Sequence, residues 1–210
     1  SHTSVVPTIL LTGSARGGTS ARLATGVQVI GADERFGAQY PNSYELVSGY
    51  ADGLAGGLPG QPPAAIINQA LQRELRAELG EEVLLTFALG PAVHPTSLFA
   101  SRDASDARSQ LRVVVGGIAA NSGPGRFALR PHQHTPLNVY VPLVDLQRVL
   151  GQPGRVNLVL ATRAAGTDDA HDLLDAAAAS MTLDDLGLRI SHHGTALIVE
   201  SDQLVIADGL

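Results

Sequence analysis

The chain of 210 residues has no cysteine, no lysine and no tryptophan. The first absence excludes disulfides, thiolate metal sites, iron–sulfur clusters and cysteine nucleophiles. It also leaves the chain indifferent to redox conditions, so composition does not fix a compartment. The second absence means that all 14 basic residues are arginine. Schiff-base chemistry and the phosphate-binding lysine of a P-loop are thereby removed. Aromatics make up only 4% of the chain, too few for stacking platforms that hold bases or sugars. The formal net charge is −6 and the arginines are scattered along the sequence, so no basic footprint for nucleic acid is visible. No apolar run approaches the ~20 residues that cross a bilayer. The start, SHTSVVPTILL, lacks the charged region and small-residue cleavage site of a signal peptide.

What is present suits a globular chain with a real core. At this length a folded chain buries roughly 70% of its unfolded surface without needing staples, and one domain or two small lobes are both allowed. The apolar run 7–12 closed by Gly13 and the run 25–30 closed by Gly31 read as strands, with a turn at Gly17-Gly18. Residues 49–63 (GYADGLAGGLPGQPP) form the clearest internal boundary. Ala64–Ile67 is a short strand, after which Asn68 is a good N-cap. Leu71, Leu75 and Leu79 then recur every four residues and Gly80 supplies a stop, which predicts a helix of about three turns. Strands follow at 82–87, 111–115, 138–141 and 156–160, with a bulge or kink at Gly116-Gly117 and a turn at 121–125. A helix spans Leu143 to Leu150 and stops at Gly151. A second runs from Thr167 to Met181, with Asp168 and Asp169 at its positive start. The tail from residue 188 reads as three strands. Strands and helices without a regular βαβ rhythm predict an α+β fold.

Candidate chemistry is sparse. Gly13–Ser20 has the spacing of a phosphate loop, but Thr19 stands where the lysine belongs and strand follows where a helix should begin. It reads as a hairpin loop. His132 and His134 lie two apart and His192 and His193 are adjacent, whereas a catalytic zinc takes three protein ligands. His171 sits among Asp168, Asp172 and Asp175 as part of a polar helix face. Asp184 and Asp185, like Asp168 and Asp169, fall at helix starts, where capping accounts for them. No serine carries a nucleophile-elbow context. No catalytic, cofactor-binding or metal-ligating residue is assigned and no cofactor is expected. The polar stretches 90–110 and 121–136 read as partner-facing loops.

Three stretches succeed one another in a telling order: VQVIGADERF (27–36), AAIINQALQRELRAELGEEVLLTF (64–87) and LNVYVPLVDLQRVLGQPGRVNLVLA (137–161). They resemble the extracytoplasmic, periplasmic domain of MacB/FtsX-like ABC-transporter permeases. The first is similar to that family's strand leading into G-v-d-x-x-F. The second is similar to its strand, helix and G-D-x-V strand, with Glu81 in place of the aspartate. The third is similar to its vfvPl..lq signature and return strand. The family has more sequence ahead of the first strand, which is a departure here.

The resemblance implies a two-lobed, α+β MacB-like periplasmic core domain with mixed sheets and short helices. Residues 1–60 with 145–210 would form a discontinuous porter-like lobe, and 61–144 an inserted second lobe. It implies a domain held between two transmembrane helices of a permease, on the periplasmic side of the inner (cytoplasmic) membrane. Such a domain is not an enzyme. It would couple cytoplasmic ATP hydrolysis to conformational change outside the membrane, in export or envelope-protein control, by rigid-body movement. The implied partners are its own transmembrane helices, a cytoplasmic ABC ATPase subunit and a periplasmic adaptor or envelope protein, with no nucleic acid. Hydrophobic segments of ~20 residues before Ser1 and soon after Leu210 in the parent gene would accompany it. The alternative is a free-standing extracytoplasmic module that binds a ligand or peptide. A metal-assisted hydrolase built on His132 and His134 is a third class.

Overall fold

The computed structural model describes residues 4–38, 46–49, 54, 56, 60–88, 108–129, 133–162, 175, 179, 188–193 and 196–201. The chain divides into two compact units, Ser1–Leu89 with Arg108–Thr162 and Gly90–Ala107 with Arg163–Leu210.

The first unit is organised by its long opening strand. β1 (Ser4–Gly17) and β2 (Leu23–Ala32) form an antiparallel hairpin, with Ile9 opposite Gly31 and Arg16 opposite Leu23. Gly26, at φ +68°, is the extra residue of a bulge in β2, a conformation that glycine adopts without steric cost. Then come α1 (Glu34–Ala38), β3 (Leu46–Gly49), β4 (Ala64–Asn68), α2 (Gln69–Leu75), β5 (Glu82–Ala88) and β6 (Arg108–Ala119). A 3-10 turn at Gly123–Arg126 leads to β7 (Leu137–Pro142), α3 (Leu143–Leu150) and β8 (Leu158–Thr162). The pairings run β1–β2–β7–β4–β6–β5 and return to β1, so these six strands close into a ring. β2–β7 and β4–β6 are parallel, and the other four pairings are antiparallel. The sheet is therefore mixed, and the α+β expectation holds.

Alternate residues of all six strands point into the ring. Val27 and Val29 of β2, Ile67 of β4, Leu85 and Phe87 of β5, Val113 and Val115 of β6, and Val139 and Val141 of β7 share one buried cluster with Ile9 and Ala15 of β1. Leu71 and Leu75 of α2 and Leu143 and Leu146 of α3 join it. A small barrel of this kind is filled by its own side chains, and β-branched residues suit the pleated wall. On the outer face, Val6, Ile30, Ile66 and Tyr140 form a second buried cluster under Phe36 of α1. Phe36 packs edge-on to Phe127 at 5.4 Å between ring centroids and lies 5.6 Å from Tyr140. Phe36, Phe127 and Tyr140 thus attach α1 and the 3-10 turn to the ring.

Several expectations need correction. The helix after Asn68 ends at Leu75 and not at Leu79. Arg76 turns to φ 52° and caps it, and Ala77 donates back to the Gln72 carbonyl before burying itself in the core. Leu79 is left 45% exposed, so the four-residue leucine spacing overstated the helix by a turn. The opening strand is longer than the apolar run 7–12, because its later residues are held by partners on both edges. Residues 108–110, expected in a loop, are already strand. The five-residue α1 and the four-residue β3 were not foreseen. The bulge at Gly116-Gly117 is present: Ala65 pairs Val115 and Ile66 pairs Gly117, so Gly116 is the extra residue.

In the second unit, β9 (Leu188–His193) and β10 (Ala196–Ser201) form an antiparallel hairpin. Asp175 and Ala179 are helical and exposed, within the expected helix whose remainder lies outside the described residues. The expected third strand of the tail also lies outside them.

Ring closure puts β1 and β5 in very close contact at Gly13. A Cβ built there would lie 2.3 Å from the Thr86 backbone carbonyl, which has no freedom to move aside. Gly13→Ala is expected to lower the unfolding free energy in urea by about 2 kcal/mol, as overpacking does. Ser14→Ala, one residue on, is expected to change it by less than about 0.5 kcal/mol.

Candidate functional site

Of the stretch Gly13–Ser20 that mimics a phosphate loop, only Gly18, Thr19 and Ser20 lie in the β1–β2 hairpin loop, and the Thr19 amide is already taken. β1 runs as strand through Gly17. The Gly17 amide donates to the Arg22 carbonyl at 3.0 Å and the Gly18 amide to the Glu82 carbonyl at 2.9 Å. The Thr19 amide donates to Oε1 of Glu81 at 2.8 Å, while the Glu78 amide donates to Oε2 at 3.1 Å. A carboxylate of the chain therefore takes the place an anion would need. The Thr19 amide is the largest influence holding the Glu81 carboxyl below its ordinary range, with the Glu78 amide adding to it. Ser20 Oγ donates to the Leu75 carbonyl at 2.6 Å, capping the end of α2 from the same loop. Glu81 stands where the resembling family carries aspartate, and here it staples two loops at one end of the ring.

At another point the ring is tied by buried amides. Asn68 caps α2 by accepting from the Leu71 amide at 2.9 Å, as its place before the helix predicted. Its Oδ1 also accepts from the Asn138 amide at 3.2 Å, and its Nδ2 donates to the carbonyls of Gly125 and Pro136 at 2.8 and 2.7 Å. Asn138 Nδ2 donates to the Phe127 carbonyl at 2.9 Å, and the Tyr140 hydroxyl donates to the Pro124 carbonyl. The 3-10 turn and the chain on either side of it are thus fastened to β4 and β7. The described part of segment 121–136 carries a buried anchor at these positions and is not a freely solvated loop. Asn68 was legible as a cap. Its three further bonds were not, because they reach residues 57 to 70 positions away in sequence.

The histidines do not converge among the described residues. His134 is exposed, and His192 and His193 occupy successive positions of β9 opposite Leu197 and Ala196. His132 and His171 lie outside the described residues, as do Asp168, Asp169, Asp172, Asp184 and Asp185 and the stretch 90–107. Among the described residues no group of three or more histidine or carboxylate side chains could hold a metal ion, and no helix is long and apolar enough to cross a membrane.

The chain is similar to the periplasmic region of MacB. That solved structure, from Actinobacillus actinomycetemcomitans, aligns over 94% of this chain and 71% of its own, with 11% sequence identity and a TM-score of 0.48. No family model and no curated protein matches the chain.

Glu81 generates a pH prediction. Its depressed pKa contributes stability that is present above the ordinary glutamate value of about 4.3 and is lost as pH falls through the lower folded value. The stability gap between the wild-type chain and Glu81→Gln is therefore expected to be widest above about pH 5 and to narrow steadily below it. Urea midpoints at several pH values measure it. A gap that stays constant with pH would show that the carboxylate is not the charged staple described.

Proposed function

We propose that this chain is the extracytoplasmic domain of an ABC-transporter permease, non-catalytic itself, which couples cytoplasmic ATP hydrolysis to conformational change outside the membrane. One observation carries the reading: β1 and β8 pair antiparallel with Ser4 opposite Thr162. The first and last strands of the first unit thus end side by side. A unit built this way can be held at one end and displaced as a body, which rigid-body transmission requires.

The resembling stretches support the same reading by where they fall. The first covers the end of β2 and the start of α1, the second β4, α2 and β5 as far as Phe87, and the third β7, α3 and β8 as far as Ala161. Each therefore corresponds to a strand with the helix or strand that follows it. The division into a lobe of 1–60 with 145–210 and a lobe of 61–144 belongs to this proposal. The β1–β8 ladder joins an early and a late segment of the first of these. The ring draws strands from both, so the two lobes would share one sheet. A periplasmic location at the inner membrane and an ATPase partner in the cytoplasm complete the reading, with export or envelope-protein control as the role.

Location is directly testable because the chain has no cysteine of its own. Val144 and Val159 are 49% and 58% exposed, so Val144→Cys and Val159→Cys add a thiol without disturbing the core. In the full-length protein in intact cells, a membrane-impermeant maleimide is expected to label both added thiols without permeabilisation. Labelling only after the membrane is breached would contradict the proposal.

A further inference from the structure

The arginines that look scattered in sequence are gathered by strand register. Arg16 of β1 lies opposite Leu84 of β5, and Leu84 lies opposite Arg112 of β6. Their neighbours Ala15, Val83, Leu85, Leu111 and Val113 point into the ring, so this row faces outward. Arg108 lies on the same face four residues from Arg112. Arg16, Arg108 and Arg112 are all exposed. Between Arg16 and Arg112 is a depression of about 400 Å³ with half-buried Leu84 among its lining residues. A chain of net charge −6 thus presents three arginines on one sheet face, with an apolar residue set between two of them.

We propose that this outer face of β1, β5 and β6 docks an acidic, extended segment of a protein partner. Guanidinium groups recognise carboxylates through paired, planar hydrogen bonds. Arg16 and Arg112 stand two strands apart, about 10 Å at the backbone. Carboxylates two residues apart in an extended segment are about 7 Å from one another, a gap that long arginine side chains close easily. The residue between them would hang away from the face. The acid on this face at that end is Glu82, which pairs with Arg112 at 3.6 Å while the two side chains stay 53% and 65% exposed. Such a pair contributes little and yields to a partner's carboxylate. Three arginines fall short of the four to eight basic residues that mark an anionic lipid surface, which favours a protein partner. The inference stands on this face alone, whatever the place of the chain in a transporter.

The test is fluorescence anisotropy with a labelled peptide that alternates Glu and Leu, and with its counterpart carrying Gln for Glu. The acidic peptide is expected to bind, and the Gln peptide to bind at least about tenfold more weakly, with the difference shrinking as salt rises. The double variant Arg16→Gln, Arg112→Gln is expected to lose about tenfold or more in affinity, and Glu82→Gln, which frees Arg112, to tighten binding about twofold to fivefold. Each variant's thermal melt should match the wild type, because all three side chains are solvated. The proposal is overturned if the acidic peptide does not bind or if the arginine variant binds it unchanged. It is equally overturned if phosphatidylglycerol vesicles are bound through these arginines while the peptide is not, or if the arginines instead drive dimerisation of the chain.

Discussion

The first unit depends on β1 being held along both edges. Between Gly13 and Arg16 that strand pairs with β2 on one side and β5 on the other, and nearer its start it pairs with β8. Without it the remaining strands would form an open, mixed sheet with β2 and β5 as unpaired edges. Closure removes those edges and gives a continuous interior in which valine, isoleucine and leucine from six strands meet. Gly13 permits the closest approach in this closure, and Asn157 extends it. The Asn157 side chain both accepts from the Leu10 amide and donates to the Leu10 carbonyl at 2.9 Å, continuing the β8 ladder by one residue.

Around this ring the polar groups act as fasteners. Glu81 joins the hairpin loop to the turn before β5, and Asn68 and Asn138 join the 3-10 turn to β4 and β7. Glu81 and Asn68 each satisfy several backbone groups at once, and Asn138 satisfies the Phe127 carbonyl, as buried or half-buried backbone demands. Such groups hold loops in place. These fasteners make the first unit a firmly tied body, which the proposed transmission of movement requires.

The sequence showed local structure well and closure not at all. α3 was legible end to end because Pro142 sets its start and Gly151, at φ 64°, its stop. Asn68 was legible as a cap, and the bulge at Gly116-Gly117 from its paired glycines. α2 was overread because Leu79 continues an amphipathic spacing that Arg76 interrupts with a left-handed turn, a conformation arginine rarely takes. The ring was illegible because its pairings join residues such as Gly13 with Phe87 and Val27 with Leu137, and nothing local encodes such partners. The same holds for the arginine face. Residues 16 and 112 become neighbours only through a shared partner on β5. A sequence scan for basic runs therefore passes over them.

β1 closes the ring and is expected to open only with it. Native-state hydrogen exchange measures this directly. The amides of β1 between Gly13 and Arg16 are expected to exchange with the same free energy and denaturant dependence as those of β7 between Val139 and Val141, through global unfolding. Exchange of the β1 amides by a local opening several kcal/mol less costly than that of β7 would contradict it.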